Sequence, residues 1–305
     1  MAGDPRLTVV VITHDRRAEL LRTLGKISLC NERPVVILAD NASADGTAAA
    51  VRRWYPDVRL ITLRRNLGAV ARNIAVRQVT TPYVAFCDDD TWWEPGSLRR
   101  CADALDAHPD VAAVTARIIV EPSGLEDPIV PELAHSPVPG RPGLPGPALM
   151  SFLAGASLLR VAPFRAAGGF SSRLWLGGEE ELLATDLVAA GHTLCYLAGA
   201  TVHHAPSAGR DPSGRRRVGI RNTLWFTWLR RPLPAALART AELARTVPRD
   251  MTSVRAFSAA LAGLPWVLRE RHPVPARVES MIRALDAPRR ASAARRYVGL
   301  AIGPC

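Results

Sequence analysis

Thr81-Pro82-Tyr83-Val84-Ala85-Phe86-Cys87-Asp88-Asp89-Asp90-Thr91 is an apolar run that stops abruptly on three consecutive carboxylates. The apolar part reads as a buried strand, and a charged strand tip is how a sheet presents a cation. Three like charges ending a hydrophobic strand repel one another, so they need a counter-cation or wide exposure to water. If the chain stays extended, Asp88 and Asp90 point the same way and Asp89 lies on the opposite face. Two hard oxygen ligands suit Mg2+ or Mn2+, which complete their shells with water and substrate phosphate. The plainer reading is a solvated acidic turn ahead of a helix opened at Glu94-Pro95-Gly96. The surroundings decide between the two.

Upstream, Leu7-Thr8-Val9-Val10-Val11-Ile12-Thr13 is continuously apolar and β-branched, as in a strand buried on both faces. Arg16 to Ile27 follows, with Leu20, Leu21, Leu24 and Ile27 on one helical stripe. Val35 to Asp40 is a second strand, a helix runs through Val51 and Trp54, and Val58 to Leu63 is a third strand. A helix after Asn66-Leu67-Gly68 leads into the opening stretch. Beyond it, Leu98, Cys101, Ala102 and Leu105 keep i, i+3, i+4, i+7 spacing, and Val111 to Ile119 is a fifth strand. This β-α repetition predicts a parallel, doubly covered sheet whose ligands lie beyond the carboxyl ends of its strands. Thr13, Asp40, Arg64 to Asn66 and Asp88 to Asp90 all fall at such ends and should line one cleft. Thr13-His14-Asp15-Arg16 stands where a Gly-x-Gly-x-x-Gly or Walker loop would follow the first strand, which argues against both common nucleotide folds. Asp40 is placed to accept hydrogen bonds from a base or ribose, or simply to cap the turn before Asp45-Gly46.

Residues 121–148 hold eight prolines and read as a long irregular loop, of the kind that forms lids or binding elements. Gly155 to Arg160 resumes the core, and Gly168-Gly169-Phe170 ends a short helix. A second acidic cluster, Glu179-Glu180-Glu181, follows two glycines and opens a helix. Capping by the macrodipole and service as a general base are both open readings. Tyr196 to His204 alternates like a strand and ends in two histidines, one of which could complete a metal site begun by Asp90, or neither.

The 305 residues, 48% hydrophobic and 22% charged, describe an ordinary folded chain with room for a core and an appendage. The net charge of +11 is uneven: residues 1–120 carry 16 Lys+Arg against 14 Asp+Glu, whereas residues 211–305 carry 18 against 6. Five scattered cysteines (Cys30, Cys87, Cys101, Cys195, Cys305) fit buried thiols in a reducing compartment. Met1 to Arg6 lacks a signal-peptide pattern, and no apolar run reaches the roughly 18 residues of a membrane span. A cytoplasmic protein is expected, with any membrane contact peripheral, on the inner face. In the basic third, Arg215 to Arg231 surrounds Leu224-Trp225-Phe226-Thr227-Trp228-Leu229 with arginines. Peripheral contact with anionic lipid and packing of the tryptophans on the core are both open there; nucleic acid is the weaker reading because no recognised module accompanies the charge. Arg283, Arg289, Arg290, Arg295 and Arg296 extend the positive surface.

Taken in order, these motifs resemble a family 2 glycosyltransferase of the inverting, GT-A kind, over about residues 7–210. The resemblance rests on the strand ending at Thr13, Asp40-Asn41-Ala42-Ser43-Ala44-Asp45-Gly46-Thr47, Arg65 to Asn73, Phe86 to Asp90, Gly155-Ala156 with Gly168-Gly169-Phe170, Gly178 to Glu181, and Ala200 to His204. It implies a single α/β domain over 1–210, with a mostly parallel sheet and helices on both faces, and a basic, mainly helical region over 211–305. It also implies a nucleoside-diphosphate sugar donor, Mg2+ or Mn2+, and hexosyl or deoxyhexosyl transfer to an acceptor hydroxyl. Asp40 would contact the nucleobase with Thr13 beside it. Asn66, Gly68 and Arg72 would border the sugar nucleotide, and Asp88, with Asp89 next to it, would reach the ribose or sugar. Asp90 and His204 would bind the metal. Counting back from Ala190-Gly191, the resemblance implies Glu180 as the base; because this chain has Glu-Glu-Glu where the family has Glu-Asp, Glu179 and Glu181 are the fallbacks. A nucleotidyltransferase, or a non-catalytic protein tethered by its basic tail to membrane or nucleic acid, is the alternative.

Overall fold

The computed structural model describes residues 3–206 and 212–291. Its centre is the parallel block predicted from hydrophobic runs. β1 (Leu7–Thr13) lies between β2 (Val35–Asp40) and β4 (Tyr83–Asp88), and β3 (Arg59–Thr62) pairs beyond β2. All but one residue of β1 is buried, which is why its sequence does not alternate. The register sets Thr13 beside Asp40 and Ile12 beside Asp88, so the strand ends form a row of polar groups. α1 (Arg17–Ile27), α2 (Thr47–Trp54) and α3 (Ala71–Val76) connect these strands. In α1 the buried stripe is Leu20, Thr23, Leu24 and Ile27; Thr23 takes the place expected of Leu21 because its hydroxyl donates to the Asp89 carbonyl oxygen at 2.8 Å.

Beyond β4 the sheet is mixed. The full order is β3-β2-β1-β4-β8-β6-β9-β5, with β7 off the path on β6. β5 (Thr91–Trp93), β6 (Val111–Val120), β7 (Leu125–Glu126), β8 (Ser157–Arg160) and β9 (Thr193–His204) form this half. β8 is antiparallel to both β4 and β6, whereas β6 and β9 are parallel. The repeat of strand and helix thus predicts parallel pairing correctly only through β4. α4 (Ser97–Ala107) buries the expected Leu98, Cys101, Ala102 and Leu105.

The irregular loop expected over 121–148 is corrected: it carries β7 and α5 (Val130–Ala134), and Val138 bridges to Ala148. Pro131 fits there because the first turn of a helix does not need its N–H. α6 (Val161–Ala166) is the short helix predicted before Gly168, and α7 (Glu179–Ala189) opens on the glutamates. Phe86, Phe164 and Phe170 pack with ring centroids 5.4 to 5.6 Å apart, joining β4 to α6 and the turn after it.

The C-terminal helices are α8 (Pro212–Arg230), α9 (Leu233–Thr246), α10 (Met251–Ala262), α11 (Leu264–Arg269), α12 (Ala276–Ala284) and α13 (Asp286–Ala291). Of the two readings of Leu224 to Leu229, the structure takes the second. Leu224, Trp225, Phe226 and Leu229 are buried, and the Trp225 indole N–H donates to the Ala260 carbonyl at 3.0 Å. Lipid contact through the aromatic block of 215–231 is therefore corrected: those rings are packing groups. Among the described residues no helix is long and apolar enough to cross a membrane. Cys30, Cys87, Cys101 and Cys195 are buried free thiols; Cys305, Arg295, Arg296 and the 210/211 boundary lie outside the described residues.

Arg231, just past α8, fastens this helical layer. Its guanidinium donates to Glu279 at 2.9 Å and to both oxygens of Asp286 at 2.9 and 3.0 Å, and Arg231 and Glu279 are almost fully buried. Removing the cation leaves a buried carboxylate with, among the described residues, only the exposed Arg283 for a partner. Arg231→Met is expected to destabilise the chain by about 3 kcal/mol, at the lower end for a broken buried pair. Urea unfolding should show this as a lower midpoint with an unchanged slope; an unchanged midpoint would remove Arg231 from this role.

Candidate active site

The acidic tip does not continue as extended chain. β4 ends at Asp88, Asp89 and Asp90 form a turn, and β5 begins at Thr91. The expected alternation of Asp88 and Asp90 against Asp89 is thereby corrected: Asp89 and Asp90 share one guanidinium. Arg16 Nη1 lies 2.5 Å from Asp89 Oδ1, and Nη2 lies 3.0 Å from Asp90 Oδ2. Asp89 faces inward, where the Thr13 hydroxyl also donates to it at 2.9 Å. Burial pushes its carboxyl up to about 7 even against the pull of Arg16 and Thr13. Arg16 was missed as a site residue. Its signal was a misfit: Arg16-Arg17 puts cations at the start of α1, where the macrodipole disfavours them.

Asp90 turns its other oxygen toward β9. The β5–β9 register sets Thr91 opposite His204, and His204 Nε2 stands 3.8 Å from Asp90 Oδ1. A cation bound at about 2.1 Å to each would span that distance. Among the described residues no group of three or more His, Cys, Asp or Glu gathers into a metal cage. Two protein ligands with an open remainder fit Mg2+ or Mn2+, which take substrate phosphate and water for the rest.

Asp88 pairs with Arg72 of α3, whose guanidinium is buried and lies over the rings of Phe86 and Phe170 at 5.9 and 5.7 Å from their centroids. Asp40 is fully buried; its Oδ1 accepts the Ser43 amide at 2.9 Å, while Oδ2 has no partner among the described residues. A buried acceptor oxygen left unpaired is costly, so this atom suits a donor brought by a ligand. Asn41, also missed, fixes the neighbouring loop: its side chain accepts from the Leu67 amide at 3.0 Å and donates to the Gly68 carbonyl at 3.3 Å. Asn66 Oδ1 accepts the Gly68 amide at 2.9 Å. Gly68 must be glycine: its φ is +59°, and an added Cβ would stand 2.3 Å from the Trp175 carbonyl oxygen.

That carbonyl also accepts the Ala69 amide at 2.8 Å, which ties the Asn66 loop to the turn before α7. Gly177 and Gly178, at φ +84° and +87°, swing the chain into the helix. From α8, buried Asn222 donates to the carbonyls of Leu174 and Leu176 at 2.9 and 3.1 Å and holds the turn in place. The three glutamates then diverge. Glu179 is buried, its Oε2 without a partner among the described residues, and desolvation raises its carboxyl. Glu181 is gripped by Arg289 of α13. Glu180 lines a cleft, and its Oε1 accepts the Ala154 amide at 2.5 Å. Desolvation, with Glu179 adding to it, pushes Glu180 up to about 8.

The cleft, about 750 Å3, brings Asp88, Glu180, Glu181 and His204 to one wall system, with Asp90 against His204. Acidic groups nearly a hundred residues apart in sequence thus share a pocket with an imidazole. The pocket also takes Ile129 and Leu133 from the α5 region, Met150 and Phe152 from the chain before β8, Arg215 from α8 and Arg289 from α13. Thr13, Asp40, Asn66 and Gly68 belong to the adjoining row of strand ends rather than to the cleft lining, and Glu179 and Asp89 point into the protein.

A parallel half, a mixed second half and a carboxylate turn between them make the architecture of a GT-A glycosyltransferase. Solved structures share that architecture. A mannosyltransferase from Pyrobaculum calidifontis, in complex with GDP-Man and Mn2+, superposes with a TM-score of 0.58 at 20% identity, over 94% of this chain and 88% of that one. TarS of S. aureus (residues 1-349) gives 0.59 at 17%, over 90% and 83%. The chain belongs to glycosyl transferase family 2, whose model matches residues 8–166. It is 31% identical, over 74% of its own length and 87% of the relative's, to N-acetylglucosaminyl-diphospho-decaprenol L-rhamnosyltransferase of Mycobacterium tuberculosis. A shorter match, 35% identical over 28% of this chain and 20% of the relative, is to validoxylamine A glucosyltransferase of Streptomyces hygroscopicus.

Proposed function

We propose that this chain is an inverting, divalent-cation-dependent transferase that moves a hexosyl or deoxyhexosyl group from a nucleoside-diphosphate sugar to an acceptor hydroxyl. The carrying observation is the shared cleft of Asp88, Glu180 and His204. Asp40 Oδ2 receives a donor group from the base or ribose, and the loop of Asn66 and Gly68 borders the nucleotide. Arg72 holds Asp88 toward the sugar. Glu180 Oε1 is occupied by the Ala154 amide, so Oε2 takes the proton of the acceptor hydroxyl. The acceptor oxygen forms its bond to the anomeric carbon as the bond to the diphosphate breaks on the opposite face, which inverts the centre. No acid is required at the leaving group, unlike glycoside hydrolysis. Asp90 and His204 would hold Mg2+ or Mn2+, whose Lewis acidity stabilises charge on the departing diphosphate.

The name of the mycobacterial relative carries a polyprenyl diphosphate sugar as acceptor. We carry an acceptor of that chemistry, a sugar on a lipid diphosphate, to this chain. Ile129, Leu133, Met150 and Phe152 offer apolar wall, and Arg215 and Arg289 offer charge for a diphosphate in the same cleft. A panel of sugar nucleotides, assayed for nucleoside diphosphate release with and without Mn2+, tests the reading. Release from one donor class, dependent on the cation, is expected; no release from any donor in the presence of a lipid diphosphate sugar would count against it.

The raised Glu180 sets a pH dependence. A base works only when deprotonated, and a carboxyl held near 8 is mostly protonated at neutral pH. kcat/KM is therefore expected to climb nearly tenfold per pH unit below about 8 and then level. A profile flat from pH 6 to 9 would exclude Glu180 as the titrating base.

A further inference from the structure

α10 and α11 form nearly one helix, because Gly263 between them keeps right-handed helical angles (φ −84°, ψ −7°). Its inner side is made of Ser253, Ala256, Ala260 and Val267, packed on α8. Its outer side carries Met251, Val254, Leu261 and Leu268, which are 62, 55, 67 and 53% exposed. With the exposed Ser258 and Pro265 between them, positions 251, 254, 258, 261, 265 and 268 advance by three and four, so they trace one stripe along the helix that is apolar except at Ser258. Single exposed leucines need no explanation, but an aligned apolar row does. Arg255 and Arg269 lie exposed beside it, and Arg249 is exposed just before α10.

We propose that this stripe docks on an anionic bilayer surface, with Met251, Val254, Leu261 and Leu268 in the acyl boundary and Arg255 and Arg269 on lipid phosphates. Apolar and cationic groups on one outward helix face match that boundary, where anionic headgroups and hydrocarbon lie within one side-chain length of each other. A second copy of the chain would bring like charges together. The position of the stripe also fits the acceptor proposed above, on which the choice of a bilayer rests. Asp250, the N-cap of α10, pairs with Arg216 of α8, and the neighbouring Arg215 lines the cleft. The row thus begins one residue from a helix contact that adjoins the pocket wall, so a lipid-anchored sugar could reach Glu180 while its tail stays in the bilayer. Residues 215–231, whose aromatic rings face inward, support this face from behind.

Co-sedimentation of the full chain with vesicles tests the proposal without donor or acceptor, so its outcome is separate from that of the transferase reading. Binding to vesicles of phosphatidylcholine with 30% phosphatidylglycerol, ~10-fold tighter than to phosphatidylcholine alone and weakened by salt, is expected. Val254→Asp with Leu261→Asp should lower that binding by ~10-fold or more, while Leu29→Asp, on a distant exposed site, should not. All these side chains are exposed, and a melting curve for each variant guards against misfolding. Equal binding of wild type to neutral and anionic vesicles, or full binding by the double variant, would overturn the proposal. So would a wild-type dimer in sedimentation velocity that the double variant converts to monomer, since the face would then belong to a second copy. Transfer to a water-soluble acceptor by a chain that ignores vesicles would sink the docking face and leave the transferase standing.

Discussion

Glu180→Gln is expected to lower kcat by about a hundred- to ten-thousand-fold while leaving nucleoside diphosphate affinity within about twofold. The amide keeps an oxygen to accept the Ala154 N–H, so the start of α7 should be undisturbed. What it loses is the capacity to accept the acceptor's proton. Its neighbours cannot substitute in place: Glu179 is buried away from the cleft, and Glu181 is committed to Arg289. Removing a buried ionisable carboxyl should also raise the melting temperature of the variant above pH 8. There the wild type bears a charge that burial opposes, and folding stability falls as pH rises through the elevated folded pKa. Turnover equal to wild type would transfer the role to Glu179 or Glu181, which the corresponding single variants would then identify.

Asp90→Ala should abolish cation-stimulated turnover, a loss of about a thousandfold or more, equivalent to several kcal/mol of transition-state stabilisation. The substitution also releases one arm of Arg16, but Asp89 retains the other, so the turn itself should persist. A second readout separates ligation from folding. Mn2+ together with a nucleoside diphosphate should raise the wild-type melting temperature, as any ligand specific to the folded state does, and should leave the variant unmoved. His204→Ala should fall between the two. A variant that still gains both stability and turnover from Mn2+ would place the cation elsewhere.

The sequence was most readable where burial is two-sided. In β1, β2 and β4 nearly every residue is apolar, so the strands announce themselves without alternation, and the polar residues that end them form the row at the head of the sheet. Asp40 and Asp88 stand out in this way, whereas Glu180, at a helix start, is singled out only through the family resemblance. Where geometry depends on partners far along the chain, the same reasoning failed. Nothing local to Ser157–Arg160 says that it enters antiparallel between β4 and β6. The turn at Asp89-Asp90 is set by Arg16, seventy-odd residues earlier, and a three-residue β5 is too short to give a pattern. Residues 121–148 looked irregular because proline usually interrupts structure; one of them instead begins α5. Trp225 and Phe226 illustrate a further ambiguity, since an aromatic row beside arginines reads alike whether it faces lipid or core.

The hydrogen bond from the Ala69 amide to the Trp175 carbonyl ties two loops together mechanically. It joins the loop of Asn66 and Gly68 to the turn of Gly177 and Gly178, and Gly68 is packed so tightly against Trp175 that an added Cβ would stand 2.3 Å from its carbonyl oxygen. A side chain added at Gly68 would therefore be felt as far as the start of α7, so a change in one loop is a change in both.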